Sequence, residues 1–172
     1  MTFVVRRLGR DDAASYRAIR LESLKLHPAA YAATYDSAAA KPDDYWADAA
    51  ERMVLFGAFA GDNLVGLAGY FRSTGEKERH RGWLVQMYVQ DAMRGTGCAM
   101  ALVDAVVAHA RTEVLELHLG VWDENPAAIR FYEKAGFHIF ATDPRAYYWD
   151  GRFWGDHSMV RYFDEGTGKD DK

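Results

Sequence analysis

The feature that most limits how this chain can fold is one unit within residues 83–121: a strand-like run, a turn with two glycines, a helix and a second strand. Trp83-Leu84-Val85-Gln86-Met87-Tyr88-Val89 is rich in side chains that suit a pleated, half-buried surface. Past Gly95 and Gly97 a helix is expected over about residues 95–112. Its Leu102, Val103, Val106, Val107 and Ala110 recur at helical spacing and form one apolar stripe. Residues 115–121 read as the next strand. A strand, a crossover helix and a second strand in one sheet should be parallel and right-handed. The stripe has to be buried against that sheet, so the chain is committed to an α/β architecture.

The remaining segments extend this sheet. Residues 3–7 look like an opening strand, and Asp11 and Asp12 offer capping oxygens for a helix running to about Leu26, closed by Pro28. Residues 29–40 are Ala-rich and expected to be helical, with another short helix over 43–51. Residues 53–60 and 64–71 flank Gly61-Asp62-Asn63 and read as an antiparallel hairpin. The polar stretch 73–81 reads as a loop, 126–135 as a helix and 137–141 as a strand. Residues 147–149 and 158–163 should close the sheet as a hairpin through Asp150-Gly151. The order predicts a mixed sheet with helices on both faces, in one domain over 1–163. The polar residues 164–172 read as a disordered tail.

At 172 residues the chain can bury a useful core without staples. Its net charge of −4 argues against nucleic-acid and anionic-membrane partners, which favour basic faces. No apolar run is long enough to span a bilayer, and the short apolar stretch before Arg6 and Arg7 is not a signal peptide. Cys98 is the sole cysteine, so an internal disulfide is excluded. The six histidines have no metal-ligand spacing, and no metal is expected. A cytoplasmic protein is the expectation.

The turn carries the chemistry. Gly95 and Gly97 permit tight backbone bends with no side chain in the way, so successive N–H groups can point at one anion. They stand at a helix N-terminus, where unsatisfied donors and the dipole favour negative charge. Arg94 adds a forked cation suited to phosphate oxygens. A Gly-rich loop that merely starts a helix is the plain alternative. The dinucleotide fingerprint lacks its third glycine and its acidic partner, and the P-loop lacks Gly-Lys-Ser/Thr. Further on, Asn125 is a good N-cap, Pro126 suits the first helical position, and Gly136 suits a helix end.

Arg94-Gly95-Thr96-Gly97-Cys98-Ala99 fits the Arg/Gln-x-x-Gly-x-Gly/Ala signature of the GNAT superfamily of N-acetyltransferases, and the stretch from Asn125 through Phe131-Tyr132 and Lys134 to Gly136-Phe137 resembles that family's second motif. The resemblance implies a GNAT-like mixed, mostly antiparallel sheet with a central parallel strand pair. It implies acetyl-CoA as co-substrate, its pyrophosphate at Arg94, Gly95, Thr96, Gly97, Cys98 and Ala99. Its pantetheine would pair with backbone at Met87, Tyr88 and Val89, where the strands splay apart, and an N–H there would hold the thioester oxyanion. Tyr132 is implied as proton donor to the leaving thiolate, and Asn125 as a contact to pantetheine or substrate. The acceptor would be an amine, on a small molecule or a protein. Tyr35, Asp36, Gln86 and Trp122 are the residues expected at its pocket. Members are often dimers, so a homodimer is expected.

One departure stands out. Many members carry a Glu on the strand before the loop, where this chain has Gln86, which cannot accept a proton at useful pH. Glu22, Asp36, Asp123 and Glu124 are candidate replacements, as is bulk water. The alternative on the same fold is an acyl-CoA-binding sensor without turnover. Cys98 reads as a small packing residue, and most of the aromatic excess around Trp83, Trp122 and 147–154 as core and hairpin packing.

Overall fold

Alternating and continuous apolar runs in the sequence become a seven-stranded sheet in the computed structural model, which describes residues 2–164. The strands are β1 (Val4–Arg7), β2 (Val54–Ala60), β3 (Asn63–Arg72), β4 (Arg81–Val89), β5 (Glu116–Trp122), β6 (His138–Trp149) and β7 (Arg152–Tyr162). Their order across the sheet is β1-β2-β3-β4-β5-β7-β6. Every pairing is antiparallel except β4 with β5, the parallel pair expected from the crossover. The helices are α1 (Ala13–Leu26), α2 (Tyr35–Ala39), α3 (Asp43–Arg52), α4 (Cys98–Ala110) and α5 (Pro126–Lys134). Apart from Asp164, the tail expected over 164–172 lies outside the described residues.

Two apolar clusters sandwich the sheet. The α4 stripe is wholly buried, with Leu102, Val103, Val106 and Ala110 at 0% exposure. It packs with Ala68, Leu117, Leu119 and Met159 from the strands, and Tyr132 of α5 joins the same cluster. On the opposite face Tyr16 and Ile19 of α1 and Trp46 of α3 pack against Leu55, Leu67 and Tyr88. Both faces are covered because the sheet alternates its apolar side chains between them.

Local chemistry explains where the boundaries move. The helix expected from residue 95 starts only at Cys98, because Gly95 and Gly97 take φ of 75° and 87°, outside helical space. The helix expected over 29–40 is broken into a short 3-10 turn, Pro28–Ala30, and α2. Tyr31 leaves the helical path to reach β4, and Thr34 caps α2 by accepting from the Ser37 N–H. The two strands expected over 137–141 and 147–149 are one, β6, with an irregularity between Asp143 and Tyr147. Pro144 is tolerated there because β6 is an edge strand. The tight turn at Asp150-Gly151 has positive φ at both residues, the geometry a two-residue hairpin favours.

Candidate active site

The parallel pair is short. Its partners are Arg81↔Glu116, Gly82↔Leu117 and Trp83↔His118, and pairing stops there. At the closed end Arg81 donates to Glu116 at 2.8 Å, and the His118 ring bonds the same carboxylate oxygen at 2.9 Å. Beyond it β4 continues to Val89 along β3, while β5 continues to Trp122 along β7. The two strands therefore diverge and leave a gap edged by backbone groups that lack a sheet partner, an arrangement that needs a ligand or solvent. The expected splay is present.

A bulge sits on the β4 edge of this gap. Gln86 and Met87 lie between Val85 and Tyr88, opposite the single Ala68 on β3. Gln86 adopts φ of 56°, a left-handed conformation costly for a residue with a side chain. Such bulges re-aim backbone and side chains beside sites. The Gln86 side-chain oxygen accepts from the Tyr16 hydroxyl at 3.0 Å, so Gln86 faces α1. The Met87 carbonyl accepts from the Tyr31 hydroxyl at 2.7 Å. Tyr31 in turn lies under the buried Arg20 guanidinium, 4.5 Å from its ring centroid.

The glycine turn stands where β4 runs into α4. A 3-10 turn, Asp91–Met93, leads to Arg94, which is exposed and pairs with Asp91 at 2.7 Å. Gly97 is the N-cap of α4 and offers no capping side chain. The first bond into the helix from this end is donated by the Ala101 N–H to the Gly97 carbonyl. The N–H groups of Cys98, Ala99 and Met100 thus have no helical acceptor and can meet an anion. The Cys98 side chain is fully buried and packs toward Gly66, so only its backbone is available; burial raises its thiol pKa.

Tyr132 and Asn125 come from α5. The Asn125 side chain accepts from the Ala128 N–H at 3.1 Å, which is the N-cap role, and leaves its amide NH₂ free to donate. Tyr132 is 9% exposed and packs edge-on against Phe131 and Phe137. Its hydroxyl has no hydrogen-bond partner among the described residues. Burial first, and then the neighbouring Tyr31, push its pKa well above the ordinary phenol value.

On the α1 side of the sheet lies a cavity of about 330 Å³, walled by aromatic rings including Tyr31, Tyr35, Tyr148, Trp149 and Trp154, with Asp36 at its rim. Tyr35 and Asp36 both line this cavity. Trp122 stands behind this wall, its ring 5.1 Å from that of Trp154 and its indole N–H buried without a partner. Gln86 is not among the lining residues, and its side chain is held by Tyr16 of α1, which does not line the cavity either. Among the expected base candidates, Glu22 is occupied: it accepts from the Tyr88 hydroxyl at 2.7 Å and from the Gln90 amide. Glu124 is exposed and paired with Arg152 at 3.4 Å.

Sequence reasoning passed over Tyr16, Tyr31 and Asp156. Asp156 lies on β7 opposite Trp122 and beside Asp143 of β6. Its Oδ2 stands 2.8 Å from where a Gly120 Cβ would be, so the carboxylate rests on β5 in the space a side chain there would fill. Half-burial raises its pKa to about 6; nearby His157 lowers it, and Asp123 and Asp143 raise it. The signal in the sequence was a glycine in an otherwise apolar strand, which marks a close approach. It did not identify the neighbour. The folded-state pKa exceeds the unfolded one, so ionising Asp156 opposes folding. That penalty is absent below about pH 4, grows as pH rises towards the folded value and is complete above it. Asp156→Asn should therefore raise the melting temperature at pH 7.5 and leave it unchanged at pH 4, which scanning fluorimetry at the two pH values would show.

The comparisons agree with this geometry. The family model for the Acetyltransferase (GNAT) family matches residues 19–137. The chain belongs to the GNAT acetyltransferase family. Among curated relatives, a mycothiol acetyltransferase of Propionibacterium freudenreichii is 29% identical over 136 residues, covering 77% of this chain and 42% of the relative. That of Actinosynnema mirum is 29% identical over 136 residues, covering 78% and 43%. The chain thus spans less than half the length of the curated relatives it matches. Among solved structures, a GNAT-family acetyltransferase of Streptococcus pneumoniae superposes with a TM-score of 0.83 at 20% identity, over 94% of this chain and 99% of that one. The yncA protein of Salmonella typhimurium, solved with its cofactor acetyl-CoA, superposes with a TM-score of 0.78 at 20% identity over both full chains. These structural likenesses establish the fold. No helix among the described residues is long and apolar enough to cross a membrane.

Proposed function

We propose that this protein transfers the acetyl group of acetyl-CoA to a primary amine by direct attack of the amine on the thioester. The observation that carries the reading is the β4–β5 gap, whose pairing ends at Trp83 and His118, with a preformed set of helix-start N–H donors where β4 leads into α4. The donors and Arg94 suit a pyrophosphate. The gap edges suit the amide groups of pantetheine, which can take the hydrogen bonds a strand would have made. Tyr31 holds the Met87 carbonyl until a ligand competes for it. Asn125 keeps amide donors free beside the start of α5, and Tyr132 brings an unpartnered hydroxyl into the cluster beneath the gap. The aromatic cavity on the α1 side is the approach for the acceptor. Its rings offer an apolar wall and a cation-attracting face, and Asp36 offers a carboxylate, so the pocket favours an amine carrying an apolar body.

The relatives named mycothiol acetyltransferase support acyl transfer as the chemistry of this family branch, with a different and longer chain. A sensor that binds acyl-CoA without turnover draws support from Gln86, which sits at the bulge with its oxygen taken by Tyr16. The test begins with a thermal-shift titration against acetyl-CoA, CoA, ATP and NAD. A native-state ligand at a hundredfold excess over its Kd stabilises by about 2.7 kcal/mol. A shift with the CoA species alone is expected. Arg94→Glu should weaken that binding roughly 10-fold to 150-fold, since a charge-assisted hydrogen bond contributes about 1.5–3 kcal/mol. Thiol release from acetyl-CoA in the presence of primary amines then separates enzyme from sensor. No shift with either CoA species would overturn the reading.

A further inference from the structure

We propose that Asp156 is the catalytic base of this acetyl transfer, receiving the proton of the acceptor ammonium from a position over Gly120 on the acceptor face of the β4–β5 gap. The inference rests on the N-acetyltransferase reading above and supplies the proton acceptor that Gln86 cannot be.

Trp83 and His118 are register partners and share a face of the sheet. Gly120 and Trp122 follow His118 on that face, because alternate residues of a strand point the same way. Their β7 partners Ser158 and Asp156 share it. This is the face on which Phe71 opposes Trp83 and Leu67 packs under α1. Gly120 lies two residues past the last paired position of β5, and Gln86 three past that of β4, so they edge the gap at similar height. Asp156 leans over Gly120 toward that gap, and Trp154, two residues earlier on the same face, lines the acceptor cavity. Asp156 does not line the cavity itself; along β7 it follows Trp154 of the cavity wall and reaches Gly120 at the gap edge.

The other carboxylates are less suited. Glu22 holds Tyr88 and Gln90, Glu124 holds Arg152, and Asp36 is exposed at the cavity rim. Asp123, beyond the end of β5, packs against Gly155. Asp156 has no hydrogen bond or ion pair among the described residues. The titratable groups facing it are Asp123, Asp143 of β6, His157 of its own strand and the Tyr147 phenol of β6. The balance of these with burial brings its pKa to about 6. An ordinary Asp sits about 6.5 units below a lysine-type ammonium. A base two units higher makes the uphill transfer about a hundredfold less unfavourable, since each unit is a factor of ten.

One ammonium proton passes to Asp156 Oδ and on to solvent. The freed lone pair forms the C–N bond to the acetyl carbon, and the C–S bond breaks with its electron pair on sulfur. Sulfur takes the Tyr132 proton, and the second nitrogen proton, lost as the amide forms, restores the phenol through water.

The test compares wild type, Asp156→Asn and Gly120→Ala with tyramine, tryptamine, spermidine and a peptide with a free N-terminal amine as probes, over pH 5–9. Acetyl-CoA thermal shifts serve as the check that each variant is folded. The expected result is an acidic limb near pH 6 in wild-type kcat/KM. Asp156→Asn should lower kcat/KM about a hundredfold or more, lose that limb, and leave a residual rate that climbs with pH as hydroxide takes over. Gly120→Ala, whose Cβ displaces the carboxylate, should lower kcat/KM while acetyl-CoA binding survives. A wild type that turns over a probe, with Asp156→Asn keeping both rate and acidic limb, would overturn Asp156 as base and leave the enzyme reading intact. A wild type that binds acetyl-CoA and acetylates no probe would overturn both.

Discussion

Tyr132→Phe is expected to lower kcat by about 10²–10⁴-fold, the usual contribution of a positioned proton donor, with acetyl-CoA affinity nearly unchanged. The substitution removes one oxygen and leaves the ring. That ring carries the packing, against Phe131, Phe137 and the α4 cluster. The hydroxyl makes no bond within the described residues, so its loss should cost little stability. Burial raises the phenol pKa, which by itself makes Tyr132 a weak acid. In the proposed reaction the leaving thiolate would form beside the same apolar residues, and desolvation would disfavour its charge too. The transfer is therefore more nearly balanced than solution values imply. Kinetics of thiol release, with a thermal-shift check on acetyl-CoA binding, would measure both quantities. An unchanged kcat would mean that water protonates the sulfur and that Tyr132 is only a core aromatic.

Leu102→Ala is expected to cost about 2–5 kcal/mol of folding stability, the range for emptying a well-packed leucine site. Leu102 is fully buried on α4, and its Cδ1 stands 2.9 Å from where a Gly66 Cβ would lie on β3. The helix approaches the sheet closely because β3 has glycine there, so the leucine fills the interface and little around it can collapse into the vacancy. At roughly 2–4 °C per kcal/mol for a chain of this size, the melting temperature should fall by about 4–20 °C. Denaturant unfolding should show the same loss as a lower midpoint with an unchanged slope. A loss under about 1 kcal/mol would mean that α4 shifts onto the sheet and refills the space. Because α4 also presents the Gly97 turn, such a shift should weaken acetyl-CoA binding as well.

Much of the fold was legible in the chain because it is written in local periodicity. The α4 stripe, the hairpin turn at Gly61 and the turn at Asp150-Gly151 each follow from the torsional and burial preferences of a few neighbouring residues. The same holds for the Asn125 cap, whose partner is three residues away. The loop from Arg94 to Ala99 was legible for a similar reason: positive φ at Gly95 and Gly97 is a property that glycine carries with it. Segments whose conformation answers to distant partners were misread. Residues 29–40 are Ala-rich enough to predict a helix, yet Tyr31 is drawn off to the Met87 carbonyl, 56 positions along the chain.

By itself, then, the sequence determined most of the order of strands and helices, the parallel crossover, the glycine turn before α4 and the absence of an acid at Gln86. Those properties depend on spacing, on backbone torsions and on residue identity, all of which are local. Tertiary structure alone decided where the parallel pairing stops, that Gln86 is bulged and held by Tyr16, and that Glu22 is spent on tying α1 to β4. It also decided that a carboxylate from β7 occupies the space left by a glycine on β5. A carboxylate's proton affinity is set by burial and by the charges around it, and those are supplied by strands that meet only when the sheet is assembled.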